Sequence, residues 1–182
     1  KKTLGIIGMG RIGQAVAHRC RLGFSMRVQY HNRKPLSSTR EAIYTDMDTL
    51  LRTSDYILVM TPLTQETEGM IGLEEFRKMK RTAIFINASR GAVVRESEMV
   101  EALSQGYLYG AGLDVYQQEP LDPANPLLKF PNVVTTPHIG SSTPCFCALP
   151  RICTLSLPGK RRRTWCQSCG RFGSIKKMPS LD

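Results

Sequence analysis

The sequence predicts an α/β fold in which helices flank a doubly wound parallel sheet. Short apolar runs alternate along the chain with segments of helical periodicity. Residues 3–8 and 83–87 are the most apolar of these runs, as in strands buried on both faces of a parallel sheet. The composition, 41% hydrophobic and 22% charged, is that of an ordinary folded protein. Because successive parallel strands are joined by right-handed crossovers, the helices are expected on the faces of one continuous sheet.

The first predicted strand, residues 3–8, is apolar and ends in glycine. The helix after it covers residues 11–22, where Ile12, Ala15, Val16 and Arg19 lie at helical spacing and Gly23 is expected to end it. The further predicted strands are residues 26–30, 56–60, 83–87, 109–115 and 132–136. The further predicted helices are residues 47–55, 73–80, with basic residues in its last turn, and 96–106, closed by Gly106.

Composition divides the chain into a body, residues 1–143, and a tail, residues 144–182. The body carries 17 Lys and Arg against 14 Asp and Glu, whereas the tail carries 8 against 1 and five of the six cysteines. Prolines interrupt any helical pattern in the tail. We therefore expect a frame-shifted or alternative end that is disordered or non-native. No apolar run is long enough for a membrane span, and no secretory segment follows Lys1, so a cytoplasmic protein is expected.

The tail also permits a metal or nucleic-acid module as the alternative. Cys145, Cys147, Cys166 and Cys169 form C-x-C and C-x-x-C pairs that could supply four thiolates to zinc. The run GKRRR, residues 159–163, could contact phosphates. The cysteine spacing is irregular and Trp165 is the single strong stacking side chain, so a metal site and a nucleic-acid partner are both disfavoured.

The run GMGRIG, residues 8–13, places Gly8, Gly10 and Gly13 in the pattern G-x-G-x-x-G between a predicted strand and a predicted helix. Glycines there permit a tight turn and let the backbone approach a pyrophosphate, while the helix N-terminus supplies free N–H groups. In this context the motif predicts dinucleotide binding. The alternative is a glycine-rich turn without a ligand.

The end of the second strand indicates which dinucleotide is bound. Enzymes that use NAD place a carboxylate about 20 residues after the motif, on the ribose 2′-hydroxyl. This chain has QYHNRKP, residues 29–35, with no carboxylate. Asn32, Arg33 and Lys34 suit a 2′-phosphate instead, so NADP(H) is the preferred cofactor and NAD(H) a possible one. The alternative is that Arg33 and Lys34 are solvated loop charges.

Three polar residues end or closely follow separate strands: Arg90, Glu119 and His138. Ligands of open α/β sheets bind outside the carboxyl ends of the strands, so these side chains could converge on one crevice. Taken singly, Arg90 could cap a turn, Glu119 could be solvated and His138 could be structural.

Four motifs together resemble the D-isomer-specific 2-hydroxyacid dehydrogenase family: GMGRIG, FINASRG, GAGLDVYQQEP and TTPHIGS. Two more, YHNRKP and TPLTQETEGMIG, resemble its glyoxylate/hydroxypyruvate reductase and 2-ketogluconate reductase branch. The resemblance covers residues 1 to about 143. It implies a Rossmann-like NAD(P)-binding domain over that range, an oxidoreductase that passes a hydride from NADPH to a small 2-oxo acid, and a homodimer.

The resemblance also implies roles. Arg90 would bind the substrate carboxylate and polarise its carbonyl, and His138 would give a proton to the carbonyl oxygen. Glu119 would pair with His138 and favour its protonated form. Asp114 resembles the residue on the carboxamide side of the cofactor. The full set of expected cofactor positions is Gly8, Gly10, Arg11, Ile12, Gly13, Asn32, Arg33, Lys34, Thr61, Pro62, Thr67, Ala88, Ser89, Arg90, Asp114, His138 and Gly140.

The chain departs from the family in one further way besides its tail. Family members carry a substrate domain before the dinucleotide-binding domain, and this chain starts at the first nucleotide-binding strand. We therefore expect the substrate domain to be missing and turnover to be impaired, because water exclusion and substrate positioning would suffer. The family also includes corepressors, so the alternative is a non-catalytic NADP(H)-binding or protein-interaction module.

Overall fold

The computed structural model of the chain describes residues 1–37, 39 and 41–140. Those residues form one parallel sheet with helices on both faces. The predicted tail, residues 144–182, lies outside the described residues, and so do its cysteine pairs and its basic run.

The sheet has seven strands, all parallel, and confirms the predicted fold class. In chain order the strands are β1 (Thr3–Ile7), β2 (Arg27–His31), β3 (Ile43–Tyr44), β4 (Tyr56–Val59), β5 (Ile84–Asn87), β6 (Gly110–Leu113) and β7 (Val133–Thr135). Their order across the sheet is β3-β2-β1-β4-β5-β6-β7. Along the chain, β1 to β3 are added toward one edge of the sheet, and β4 to β7 are added toward the other edge. The boundary between β1 and β4 is therefore the switch point where open sheets bind ligands.

Four α-helices connect these strands: α1 (Arg11–Phe24), α2 (Met47–Thr53), α3 (Leu73–Lys78) and α4 (Glu96–Ser104). Two short 3₁₀ turns, Gly91–Val93 and Pro126–Lys129, lie in the loops after β5 and β6. Each helix begins where the sequence predicts it. No helix of the described residues is long and apolar enough to cross a membrane.

The end of α1 was predicted wrongly. The helix continues through Gly23 to Phe24, and Ser25 takes the left-handed conformation (φ 52°) instead, with its N–H bound to the carbonyl of Cys20. An αL residue ends many helices, and glycine is merely its commonest occupant. Gly106 does close α4, as predicted, with φ 66°.

Two apolar clusters lie on the two faces of the sheet. Alternate residues of each strand supply them, so Ile6 belongs to one cluster and Ile7 to the other. The first cluster includes the buried face of α1, formed by Val16, Ala17 and Cys20. Of the four α1 residues whose spacing predicted the helix, Val16 alone is fully buried, and Ile12 is 47% exposed. Both faces of the sheet are covered, so residues that point to either face are apolar. This explains the apolar runs in the sequence.

Candidate active site

Two of the three motif glycines are required by the packing of the turn after β1. Gly8 has φ 99°, and a side chain there would meet the backbone of Met60 and Thr61 at 2.7 Å. A Cβ on Gly13 would lie 2.6 Å from the carbonyl oxygen of Gly8. The turn therefore packs closely against the end of β4, and α1 packs closely against the turn.

Gly10 differs because nothing in the described protein requires it to be glycine. A Cβ at Gly10 would meet no atom within 4 Å, and its φ of −78° suits any residue. It stands at the N-cap of α1 with no side chain capping the helix, and Arg11 and Ile12 open the first turn at the surface. There is therefore open space beside this helix start, whose first N–H groups have no intrahelical partner, as an anion site requires.

A buried polar atom without a partner lies next to this turn. Within the described residues, the Thr61 hydroxyl is buried and makes no hydrogen bond. The Thr61 backbone is among the atoms nearest to Gly8. Buried polar groups are nearly always paired, so an unpaired hydroxyl beside an open helix start fits a site for a polar ligand. These residues therefore fit a dinucleotide.

The residues after β2 lie beside the same turn but are used differently. The Asn32 side-chain oxygen accepts a 2.7 Å hydrogen bond from the Met9 N–H and so holds the glycine turn in place. Arg33 is 85% exposed and forms a 3.7 Å ion pair with Glu66. Lys34 is exposed. Two cations are thus available next to the turn, while the Asn32 oxygen is occupied.

The loop after β4 is shaped by Thr67 and completes this side of the cleft. Its hydroxyl donates to the Pro62 carbonyl at 2.7 Å and accepts the Thr64 N–H at 2.8 Å. Pro62 itself is exposed. Thr67 and Pro62 are both expected cofactor positions, and the Thr67 hydroxyl therefore fixes the backbone of Pro62.

Arg90 is presented by a tight turn at the end of β5. The buried side chain of Asn87 builds it, since its amide donates to the Arg90 carbonyl (3.0 Å) and its oxygen accepts both the N–H and the hydroxyl of Ser89. Ala88 lies half-buried between them, and the exposed Arg90 guanidinium donates to the Ser89 carbonyl at 2.7 Å. Asn87 was not predicted as a site residue, although its place in the motif FINASRG was a signal.

Gly91 brings this turn against the loop after β6. A Cβ on Gly91 would overlap the backbone carbonyl of Tyr116, so only glycine allows the two segments to touch. Arg90 is consequently close enough to Glu119 for its charge to affect that carboxylate.

Asp114 organises the loop that carries His138. This carboxylate is 5% exposed and accepts hydrogen bonds from the Thr136 hydroxyl, from the Ile139 N–H at 3.0 Å and from the Gly140 N–H at 2.8 Å. Three donors on one segment fix its path on both sides of His138, which has a positive φ of 51°. The Asp114 carboxylate is therefore bonded to other residues of the chain, and these three hydrogen bonds were not predicted from the sequence.

His138 and Glu119 form a hydrogen-bonded pair. The His138 Nδ1 lies 2.7 Å from the Glu119 Oε2, and both side chains are partly exposed. The other carboxylate oxygen accepts the Tyr116 N–H at 3.1 Å. Partial burial raises the pKa of Glu119, but the hydrogen bonds from His138 and Tyr116, with the charges of His138 and Arg90, outweigh it and lower that pKa. Glu119 is therefore a carboxylate near neutral pH.

Tyr116 is a second residue that sequence reasoning missed. It is buried, and its hydroxyl lies 3.0 Å from the Leu113 carbonyl and 2.9 Å from the Thr136 carbonyl. Burial raises the pKa of Tyr116 to about 12, against the effect of its hydrogen bonds. The neutral phenol thus ties the end of β6 to the end of β7.

A mostly apolar cleft of about 240 Å³ opens beside the pair. Its walls are Tyr116, Glu119, Pro120, Leu121, Thr135, Thr136, Pro137 and His138. The volume lies below the roughly 300–1,000 Å³ that is typical of small-molecule pockets, so the cleft suits a compact ligand. No group of three or more His, Cys, Asp or Glu side chains that could hold a metal ion occurs within the described part of the chain.

The fold and this site define a dinucleotide-binding domain with a histidine–carboxylate pair at the edge of its cleft. The chain belongs to the D-isomer specific 2-hydroxyacid dehydrogenase family, whose NAD binding domain model matches residues 1–140. The nicotinamide dinucleotide class of the cofactor follows from that membership.

Known relatives support the predicted branch as well. Glyoxylate/hydroxypyruvate reductase B of Cronobacter sakazakii is 55% identical over 145 residues, which are 78% of this chain and 45% of that protein. The chain therefore spans less than half the length of this curated relative. The predicted family and its glyoxylate/hydroxypyruvate reductase branch are confirmed.

Solved structures agree in fold and differ in cofactor. The NADPH-dependent glyoxylate/hydroxypyruvate reductase of Sinorhizobium meliloti superposes with a TM-score of 0.73 at 33% identity, over 78% of this chain and 74% of that one. An NAD-complexed D-isomer specific 2-hydroxyacid dehydrogenase of Lactobacillus delbrueckii ssp. bulgaricus gives 0.72 at 34% identity, over 78% and 47%. Both nicotinamide cofactors thus occur on this fold.

Proposed function

We propose that this chain is the dinucleotide-binding part of an NADPH-dependent reductase. Its substrate would be a small 2-oxo acid, namely glyoxylate, hydroxypyruvate or 2-ketogluconate, and its product the D-2-hydroxy acid. The observation that carries the proposal is the 2.7 Å contact between His138 and Glu119, beside Arg90. These residues follow β7, β6 and β5, which are neighbours at the ligand-binding edge of the sheet.

The chemistry follows from which atoms are engaged. Bound NADPH supplies a hydride to the carbonyl carbon. Because the His138 Nδ1 is held by Glu119, the Nε2 is the nitrogen left to give a proton to the carbonyl oxygen. The Glu119 carboxylate stabilises the imidazolium that provides this proton. The exposed Arg90 guanidinium binds the substrate carboxylate, for which its paired N–H donors are suited.

The preference for NADPH rests on the residues after β2. Arg33 and Lys34 are exposed cations beside the glycine turn, and no carboxylate ends that strand. A 2′-phosphate would gain charge-assisted hydrogen bonds there. NADH binding remains compatible with the site but would lack those bonds. The expected homodimer and the cytoplasmic location stay predictions.

The test is NADPH oxidation with hydroxypyruvate and glyoxylate, measured for the chain and for His138→Gln. Loss of the proton donor should lower kcat by about 10²- to 10⁴-fold, a larger effect than any change in NADPH affinity measured in a calorimetric titration. His18→Gln is the matched control, because His18 is an exposed histidine on α1. Equal turnover of His138→Gln contradicts its role. Turnover above background by the unmodified chain, even if slow, favours the reductase, whereas NADPH binding with no turnover at all favours the non-catalytic module.

A further inference from the structure

Arg33 and Glu66 meet across the start of the dinucleotide cleft. Arg33 follows β2, and Glu66 lies in the loop after β4. Both of those strands pair with β1, one on each side, and the glycine turn follows β1. The 3.7 Å ion pair between the Arg33 guanidinium and the Glu66 carboxylate therefore joins the two sides of the glycine turn.

The Glu66 carboxylate is held in position by its own loop. The Thr64 hydroxyl donates a 2.7 Å hydrogen bond to the Oε2 of Glu66, which leaves the Oε1 for Arg33. The Thr64 N–H is in turn fixed by Thr67. The hydrogen bond from Thr64, the backbone of Glu66 itself and the charge of Arg33 lower the pKa of Glu66. Near neutral pH a fixed negative charge thus faces Arg33.

Arg33 is the more exposed partner. Its side chain is 85% exposed, against 65% for Glu66. Within the described residues, Glu66 is the one carboxylate that pairs with it. An exposed ion pair of this kind is weak. The oxygens of a doubly charged phosphate can therefore compete with the Glu66 carboxylate for the Arg33 guanidinium.

We propose that Glu66 is a specificity-determining residue, whose carboxylate forms a clasp with Arg33 that a 2′-phosphate has to open. The proposal rests on the proposed function, in which Arg33 receives the 2′-phosphate of NADPH. NADH has a 2′-hydroxyl there and leaves the clasp closed. Glu66 therefore lowers the affinity for NADPH and not that for NADH, which reduces the discrimination between the two cofactors.

The expected size follows from the exposure of the pair. An exposed ion pair contributes little, so its removal should change affinity by about two- to five-fold. Salt screens such pairs, so the effect should shrink as ionic strength rises. Removing a negative charge also reduces repulsion of the pyrophosphate, but NADH and NADPH share that group. The difference between the two cofactors isolates the clasp.

The experiment is a calorimetric titration with NADPH and with NADH at low ionic strength. Glu66→Gln keeps the acceptor for Thr64 and should raise the affinity for NADPH about two- to five-fold more than it raises the affinity for NADH. Glu68→Gln is the matched control, since Glu68 is an exposed carboxylate in the same loop, and it should change neither affinity. Equal or weaker NADPH binding by Glu66→Gln overturns the clasp, as does an equal gain for NADH.

Arg33→Gln separates this proposal from the one on which it rests. If Arg33→Gln weakens NADPH binding but Glu66→Gln does not strengthen it, the clasp alone is wrong. If Arg33→Gln leaves NADPH binding unchanged, the assignment of the 2′-phosphate to Arg33 is wrong, and the clasp is wrong with it. In the Arg33→Gln background, Glu66→Gln should no longer favour NADPH over NADH.

Discussion

The two ends of the cleft hold their polar side chains in different ways. At the histidine end, Asp114 accepts three hydrogen bonds from the loop around His138, and Glu119 accepts two, from His138 and Tyr116. At the glycine end, the Thr61 hydroxyl is unpaired among the described residues and Arg33 is 85% exposed. The first end is satisfied by the protein's own atoms, whereas the second holds an unpaired hydroxyl and a guanidinium engaged in a single exposed ion pair.

This difference matches what each end has to do. A proton donor must be in position before the substrate arrives, because ordering it during the reaction would add to the barrier. A cofactor site must instead offer unpaired donors, since groups already paired within the protein gain little from a ligand. Substitutions of the polar side chains that hold the histidine loop should therefore cost stability, and those of Thr61 and Arg33 should cost binding.

The largest stability effect is expected for Asp114→Ala. It removes a buried carboxylate and three hydrogen bonds at once, so the free energy of unfolding should fall by about 3 kcal/mol. Urea denaturation followed by circular dichroism measures this. Glu101→Ala, on an exposed position of α4, should stay within about 0.5 kcal/mol. A loss for Asp114→Ala no larger than that of the control means that its hydrogen bonds do not fix the loop.

The contrast within the glycine motif comes next in size. Gly13→Ala puts a methyl group 2.6 Å from the Gly8 carbonyl, which should lower the free energy of unfolding by about 2 kcal/mol. Gly10→Ala meets no atom within 4 Å and should leave stability within about 0.5 kcal/mol. Its methyl group would instead occupy the path of the pyrophosphate, so calorimetry should show NADPH binding weakened about tenfold or more. Unchanged binding by Gly10→Ala contradicts the placement of the dinucleotide.

The sequence predicted the regular part of this molecule because its signals are local. Apolar runs located six of the seven strands, and β3 was missed because the two residues Ile43–Tyr44 have no periodicity to detect. The end of α1 was misplaced because glycine was taken as the helix stop, whereas Ser25 adopts the same left-handed conformation.

The support of the site could not be predicted in the same way. Tyr116 and Asp114 bond to atoms 20 to 26 residues further along the chain, and these partners become neighbours only once β6 and β7 pair. Asn87 is the exception, since its partners are within three residues. A motif marks the residues that carry the chemistry, but the fold decides which residues hold them.

A smaller effect is expected for Thr61→Val, and its sign differs from the others. Replacing an unpaired buried hydroxyl by a methyl group of the same shape should leave the free energy of unfolding unchanged or raise it by up to about 1 kcal/mol. NADPH affinity should fall, because the ligand loses a partner for its own polar group. Thr49→Val serves as the comparison, as an exposed threonine on α2. A lower free energy of unfolding for Thr61→Val would mean that the hydroxyl does have a hydrogen-bond partner within the protein.

The smallest effect concerns pH and tests the histidine end. Because the pKa of Glu119 is lowered from its ordinary 4.5 in the folded chain, its contribution to stability is complete above that value and is lost as the pH falls through the lower folded pKa. The stability difference between the unmodified chain and Glu119→Gln should therefore shrink below pH 4.5. It should be small, since Glu119 is 37% exposed and water screens its contacts. In the His138→Gln background, which lacks the principal hydrogen bond, most of this pH dependence should disappear. A pH dependence that is the same in both backgrounds means that Glu119 is stabilised by Tyr116 and Arg90 rather than by His138.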